Sequence, residues 1–399
     1  MVLSLRRPTS RPVDADPLSL AGAEVNRSKL GHIPALDGLR GVAILMVMIR
    51  HFTPTGEETQ HGLAHLIEKT ALQGRMGVDL FFVLSGFLIT GILLRSKTSP
   101  RYFVNFYFRR ALRIFPLYYF VVILVTIGLY TLPAWSSYNN LRTHWPYYWF
   151  YLTNFLAAHH GWDIVEENRV GLGYLWTLAV EEHFYLLWPF VVWIFSEKSL
   201  IRVCLAIMVI APILRGLSPH LGQQDIAYKI LTQCRMDSLA TGALLAVLIQ
   251  YKSRAEVLQR FRWVGLIWIP FAAYIAIRTS EFSGVPDVLI RTFGFSIIAI
   301  ACATLICVVL GSGWMTTFMT WRPLRFLGVY SYGIYIYHGL LLDYMTDWFG
   351  IRRLSLNTNH LWIGILPHYL ACISASTLIA VLSYHFLEKP FLKLKRFFR

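Results

Sequence analysis

Residues 36–52 read LDGLRGVAILMVMIRHF, an apolar run that carries Arg40 near its start and His51 at its end. The two are eleven residues apart, almost three helical turns. In a helix their side chains fall on nearly one face, about 16 Å apart along the axis. An ionisable side chain inside a bilayer costs a few kcal/mol even on the mildest scale, so two on one face suggest a shared polar path and not lipid exposure. The plain alternative is that Arg40 snorkels to the lipid headgroups while His51 simply ends the span.

The rest of the chain supplies the membrane. Its 399 residues are 56% hydrophobic and only 15% charged, with a mean hydropathy of +0.50. A soluble protein of this length has no means of hiding so much apolar surface. Apolar stretches of about twenty residues, each able to cross ~30 Å of hydrocarbon, recur along the chain. They predict an all-α fold, a polytopic transmembrane helical bundle of about ten spans. The net charge of +15 is distributed between and after these stretches. That is positive-inside patterning, with a minor contribution from anionic lipid, and it excludes nucleic acid as the partner.

The apolar segments fall near 36–53, 76–94, 115–133, 173–195, 202–218, 237–251, 263–279, 287–310, 326–345 and 362–386, and the aromatic stretch 145–158 (WPYYWFYLTNFLAA) is ambiguous. The basic connections 95–113, 252–262 and 321–325 and the tail 389–399 belong on the cytoplasmic side. Ten spans starting inside place all of them there, with N- and C-termini cytoplasmic. An eleventh span at 145–158 would put the later ones outside, so that stretch is read as re-entrant or interfacial. Residues 1–32, rich in Arg, Pro and Ser, read as a flexible cytoplasmic tail with no cleavable signal. Residues 33–396 read as one membrane domain, with no room for a soluble domain after the last span. Cys204, Cys234, Cys302, Cys307 and Cys372 are odd in number and lie mostly in apolar segments. They read as buried small hydrophobes, neither disulfides nor metal ligands. Pro189, Pro212 and Pro270 lie within spans and mark kinks around a cavity.

Several polar groups interrupt the spans. Asp79 sits near the outer end of the second, either reaching water or orienting a histidine such as His51. Gly77, Ser85, Gly86 and Gly91 in the same span read as helix-packing positions. Arg109, Arg110 and Arg113 lie within about one turn at the cytoplasmic boundary, as topology determinants or as guanidinium forks for phosphate. Glu181, Glu182 and His183 lie in an otherwise apolar segment and are functional candidates by default. Arg235 and Asp237 read as an internal ion pair near the outer face. His338 follows a run of tyrosines and is either a satisfied core histidine or part of a cavity lining. The nucleotide loop G-x-x-x-x-G-K-[ST], the H-E-x-x-H metal motif and the G-x-S-x-G elbow are all absent from the sequence, which removes support for ATP-driven transport, zinc hydrolysis and serine-hydrolase chemistry.

Taken together, IPALDGLRGVAIL, GVDLFFVLSGFLI, FRRALRIFPLYY, LWTLAVEEHFYLLWP, RMDSLATGALLA, YSYGIYIYHGLL and SYHFLEKPFLKL resemble the acyltransferase 3 family of integral membrane acyltransferases, in the family's order and across residues 33–396. The resemblance implies that Arg40 and His51 are the family's basic residue and histidine, and that Arg110 and Arg113 are its R-x-x-R pair. Trp176, Leu178 and Glu181 match its Trp-Ser-Leu…Glu element, with Thr177 in place of the usual Ser. Some relatives add a soluble extracytoplasmic SGNH-type domain, which is expected here to be replaced by direct transfer or by a separate extracytoplasmic transferase.

The expected activity is O-acyl transfer, of acetyl above all, from cytoplasmic acyl-CoA to a hydroxyl of an envelope glycan, glycolipid or exopolysaccharide. No cofactor is expected to be tightly bound; acetyl-CoA is a cosubstrate. The expected place is the cell membrane, as a multi-pass protein, the inner membrane in a Gram-negative organism. Arg110 and Arg113, with Arg40, are expected to hold the donor's phosphates. His51 is expected to act as general base or transient acyl acceptor, with Glu181 or Asp79 fixing its tautomer. Trp176, Arg235, Asp237 and His338 complete the expected binding set. Trp145, Tyr147, Tyr148 and Trp149 suit either sugar stacking or an interfacial belt. The rival class is a transporter or flippase whose intramembrane charges line a path, for which an internal inverted repeat would be the sign; none is found. A third class is a non-catalytic partner in a polysaccharide machine.

Overall fold

The computed structural model describes residues 33–53, 69–133, 139–164, 172–221, 224–280, 288–348 and 361–398. The expected tail at 1–32 lies outside them. Ala35–Arg399 form one compact unit, and every regular element among the described residues is helical.

Ten helices of 19 to 30 residues carry the fold. They are α1 Pro34–Phe52, α2 Met76–Ser96, α3 Tyr102–Thr131, α4 Trp176–Ile194, α5 Glu197–Leu217, α6 Thr232–Tyr251, α7 Arg254–Ser280, α8 Val288–Gly311, α9 Arg322–Trp348 and α10 Leu361–Ser383. They overlie the ten apolar segments. Five helical stretches, Lys69–Ser96, Tyr102–Thr131, Glu197–His220, Val288–Gly311 and Leu366–Phe397, have the length and apolar composition to cross a membrane.

The structure moves one boundary that matters for the site. The basic residues of 95–113 were expected in a connection, yet α3 starts at Tyr102 and runs for 30 residues. Thirty residues make about 45 Å of helix against ~30 Å of hydrocarbon, so a single helix is long enough both to cross and to project. Arg110 and Arg113, three apart, share a face of it. They turn inward, while Arg109 is exposed.

Small residues bring α2 and α6 together. A Cβ on Gly86 would lie 1.9 Å from the carbonyl oxygen of Leu239, and one on Gly242 would lie 1.9 Å from that of Val83. The two helices therefore touch backbone to backbone, as the small-residue reading of Gly86 requires. Gly77 packs likewise against the Ala43 carbonyl, but Gly91 meets only the tip of Arg95. Ser85 is buried, and its hydroxyl is also bonded to that of Tyr185. The five cysteines are unpaired and buried.

The stretch 145–158 forms two short helices, Pro146–Trp149 and Thr153–His160. Tyr151 between them has φ +56°, a conformation that non-glycine residues adopt only where the surroundings hold them. α3 supplies that hold: Tyr118 Oη donates to the Tyr148 carbonyl at 2.6 Å, and the Tyr118 and Tyr151 rings stack at 4.0 Å. Trp145 and Tyr148 are buried in this contact. The Tyr148 ring serves packing, while Trp145 and Trp149 also line a cavity with Tyr119, Tyr130 and Arg142.

Candidate active site

Four helices converge on Arg40 and the α3 arginines. Arg40 of α1 lies within electrostatic reach of Arg110 and Glu181, and Arg113 within reach of Arg40, Arg110 and Glu388. The Arg110 guanidinium lies over the Tyr185 ring, 4.0 Å from its centroid. Glu181 of α4 faces the hydroxyls of Tyr185 and Ser85, and Glu182 lies near Arg110 and Glu181. Trp176 at the start of α4 sits edge-on to Phe82, with ring centroids 6.1 Å apart.

Carboxylates face these arginines, yet not every guanidinium donor is used. Arg40 Nε and Arg110 Nε are buried with no hydrogen-bond partner among the described residues. Buried donors are normally paired, so such a set suits an anionic guest with several acceptor oxygens. Two further residues join it from the end of the chain, where sequence reading had not looked. Glu388 closes a π-helical turn, Tyr384–Glu388, following α10. Lys395 lies within reach of Arg113, Arg110 and Arg109. A π-turn in a helix often marks a functional site, but its signal in HFLEKP is too local to read without the fold.

His51 ends α1 at the other extreme of the site. Its Nδ1 is 2.8 Å from Nε2 of His338 on α9, with ring centroids 5.0 Å apart and ring planes 15° from parallel. His338 is fully buried and His51 partly so. The expected orientation of His51 by Asp79 or Glu181 is replaced by this histidine contact. The reason is topological: α9 packs beside α1, whereas Asp79 is engaged elsewhere.

A chain of hydroxyls bridges the two ends. The Tyr335 and Thr177 hydroxyls are 2.6 Å apart, and both approach the Tyr174 carbonyl, at 3.0 and 3.1 Å. Tyr174 in turn donates to the Ile336 carbonyl at 2.6 Å, and its ring lies 5.4 Å from that of His338. Tyr335 lies within reach of Glu181. Thr177 thus keeps the hydroxyl that the family's serine would supply. Tyr335, missed in the sequence, sits three residues before His338 and so on the same helix face.

Asp79, Arg235 and Asp237 do not join this site. The expected Arg235–Asp237 pair is not formed. Neighbours two apart on a helix point away from each other, and each finds a partner on another helix. Arg235 donates to Asp79 at 2.5 Å, while Arg215 grips Asp237 with two bonds of 3.0 and 2.8 Å. Ser296 of α8 also donates to Asp237, at 2.5 Å. All four charged side chains are buried. Arg215, the member overlooked in the sequence, was marked only by being ionisable inside an apolar segment. His183 bonds Thr232 at 2.7 Å and ties α4 to α6.

Helices of membrane-crossing length around a line of enclosed ionisable side chains define an integral membrane protein with an internal polar site. The sequence matches the acyltransferase domain that defines the acyltransferase 3 family over residues 33–385, and the chain belongs to that family. It is 27% identical over 382 residues to the peptidoglycan O-acetyltransferase OatA of Listeria monocytogenes, covering 91% of this chain and 56% of that protein. It is 29% identical over 372 residues to the putative peptidoglycan O-acetyltransferase YrhL of Bacillus subtilis, covering 90% and 55%. It is 25% identical over 372 residues to the O-acetyltransferase OatA of Staphylococcus aureus, covering 91% and 57%. The chain therefore spans a little over half the length of these relatives. No solved structure matches.

Proposed function

We propose that this protein is an O-acyltransferase of the cell membrane that moves an acetyl group from cytoplasmic acetyl-CoA to a hydroxyl of an envelope glycan, peptidoglycan being the favoured acceptor. In this reading ten spans leave both termini in the cytoplasm and 145–158 re-enters from the outer side. A separate extracytoplasmic transferase is a candidate recipient of the acetyl group. The observation that carries the reading is the pair of buried, unpartnered guanidinium nitrogens, Arg40 Nε and Arg110 Nε, at one end of a polar line whose other end is His51.

Arg110 and Arg113, with Arg40, hold the donor's phosphates through charge-assisted bonds. An extended pantetheine arm has about the reach that separates Arg40 from His51, so the thioester arrives beside the imidazole. His51 removes the acceptor hydroxyl proton as its oxygen attacks the thioester carbonyl. The new C–O bond forms, the C–S bond breaks, and CoA leaves as the thiolate, which takes up the proton. Glu181, held by Ser85 and Tyr185, stands between the arginines and the Thr177–Tyr335 hydroxyls as a positioning group. Asp79, Arg235 and Asp237 hold helices together in this account and do not bind donor or acceptor.

The test is the purified protein in liposomes, given acetyl-CoA labelled in its acetyl group and peptidoglycan fragments. Labelled fragments from wild type and none from His51→Ala are expected. Labelled protein that persists without acceptor would mark His51 as acyl carrier. Failure to label fragments or protein, with His51→Ala behaving as wild type in cells, would sink the enzyme reading in favour of transport or a structural role.

A further inference from the structure

We infer that His338 is a positioning residue that locks His51 in the tautomer whose Nε2 is free to take a proton. The inference rests on the proposed role of His51 and adds the reason why that nitrogen is available.

The argument starts from a backbone carbonyl. His338 Nδ1 lies 2.7 Å from the Tyr335 carbonyl oxygen and 3.2 Å from that of Ile334. Carbonyl oxygens only accept, so Nδ1 of His338 carries the hydrogen. A neutral imidazole has one N–H, which leaves Nε2 of His338 as an acceptor. The atom it faces, His51 Nδ1 at 2.8 Å, must then be the donor. With its single hydrogen on Nδ1, neutral His51 presents an unprotonated Nε2, and among the described residues no other hydrogen bond engages the ring. The tautomer of one ring is thus set by the bond the other ring makes.

The opposite polarity requires hydrogens on both nitrogens of His338. That would place a cation among Phe52, Tyr174 and Tyr335. The charged or titratable groups facing the pair are Arg50 beside His51, Tyr174 and Tyr335, with His368 behind Phe52. Among the described residues none is a carboxylate, and an enclosed cation without one is strongly disfavoured. The neutral chain from carbonyl to His338 to His51 is the arrangement that satisfies every hydrogen. Gly339 makes room for it: a Cβ there would stand 1.9 Å from Tyr174 Cε1, so only glycine lets the Tyr174 ring close over His338.

The measurement is nitrogen-15 solid-state NMR of the full chain in lipid bilayers, labelled at histidine, with His51 assigned by subtracting the His51→Ala spectrum. At pH 7.5 wild-type His51 is expected as the Nδ1–H form, with Nε2 unprotonated. His338→Leu, which offers no acceptor, is expected to release His51 to a mixture containing the Nε2–H form. It should also lower kcat for acetyl transfer at least tenfold with an unchanged KM for acetyl-CoA. His338→Gln offers an amide oxygen and should restore both the tautomer and a substantial part of kcat, a rescue that loss of packing alone does not predict. Wild-type His51 found as Nε2–H, or a tautomer unmoved by His338→Leu, overturns the inference. If His338→Leu fails to fold, the wild-type spectrum alone decides. Full transfer by His51→Ala would instead defeat the catalytic reading and leave the tautomer result standing.

Discussion

Arg235 of α6 and Asp79 of α2 form an ion pair at 2.5 Å, with both side chains enclosed by protein. It joins helices whose residues are 156 apart in sequence. Such a pair is worth little as attraction alone, because burial removes the water both charges had. Its asymmetry is what can be tested. Asp79→Ala or Arg235→Ala alone strands a charge and should destabilise by about 3–5 kcal/mol, whereas Asp79→Leu with Arg235→Met should cost far less. Thermal unfolding of the purified variants in detergent checks this, and equal losses from single and double changes would contradict it.

The glycines of α2 and α6 divide into two kinds. Gly242→Ala or Gly86→Ala sets a methyl against a facing carbonyl and should destabilise by about 1–3 kcal/mol through overpacking. Gly91→Ala meets only a flexible arginine tip at 3.3 Å and should be neutral or stabilising by up to about 1 kcal/mol, from helix propensity. The same unfolding measurement compares them.

Donor binding should follow the arginine geometry. Arg113→Ala is expected to raise KM for acetyl-CoA while leaving acceptor KM nearly unchanged. Arg113→Lys should recover only part of the loss, since an ammonium replaces a bidentate fork. An unchanged donor KM in Arg113→Ala would remove the phosphate role.

Tyr185 supports Arg110 with its ring face and Ser85 with its hydroxyl. Tyr185→Phe should keep the cation–π contact, and Tyr185→Leu should lose it, weakening donor binding by about 0.5–2 kcal/mol more. Equilibrium titration with a non-hydrolysable acetyl-CoA analogue reads the difference.

Gly339→Ala should displace Tyr174 and its 2.6 Å bond to the Ile336 carbonyl without altering α9 itself. Transfer should fall severalfold while helix content by circular dichroism stays the same. Wild-type kinetics in this variant would show that the Tyr174 ring is dispensable.

The composition and period of the apolar segments were enough to place the ten long helices, because a span of about twenty apolar residues can satisfy its backbone in lipid only as a helix. That Arg110 and Arg113 lie within one helical turn was likewise legible from their spacing, but their inward turn was not, because the sequence placed them in a connection and only the packing of α3 set which face points in. Ion-pair partners were not legible. Arg235 and Asp237 are close in sequence, but on a helix closeness by two residues is separation in angle. Their true partners, Asp79 and Arg215, depend on which helices α6 packs against.

The same division holds for the residue pair that defines the site. That Arg40 and His51 share a helix face almost three turns apart follows from the sequence alone, because helical rise and period are local properties of the backbone. The sequence could not determine what His51 touches. His338 lies 287 residues away, and only the packing of α9 on α1 brings its ring to hydrogen-bonding distance. The Tyr335 carbonyl that orients the pair is a backbone atom, with no signature in the side-chain sequence. Tertiary structure therefore decided which nitrogen of His51 is free, since a tautomer is fixed by its contacts and not by its neighbours in the chain.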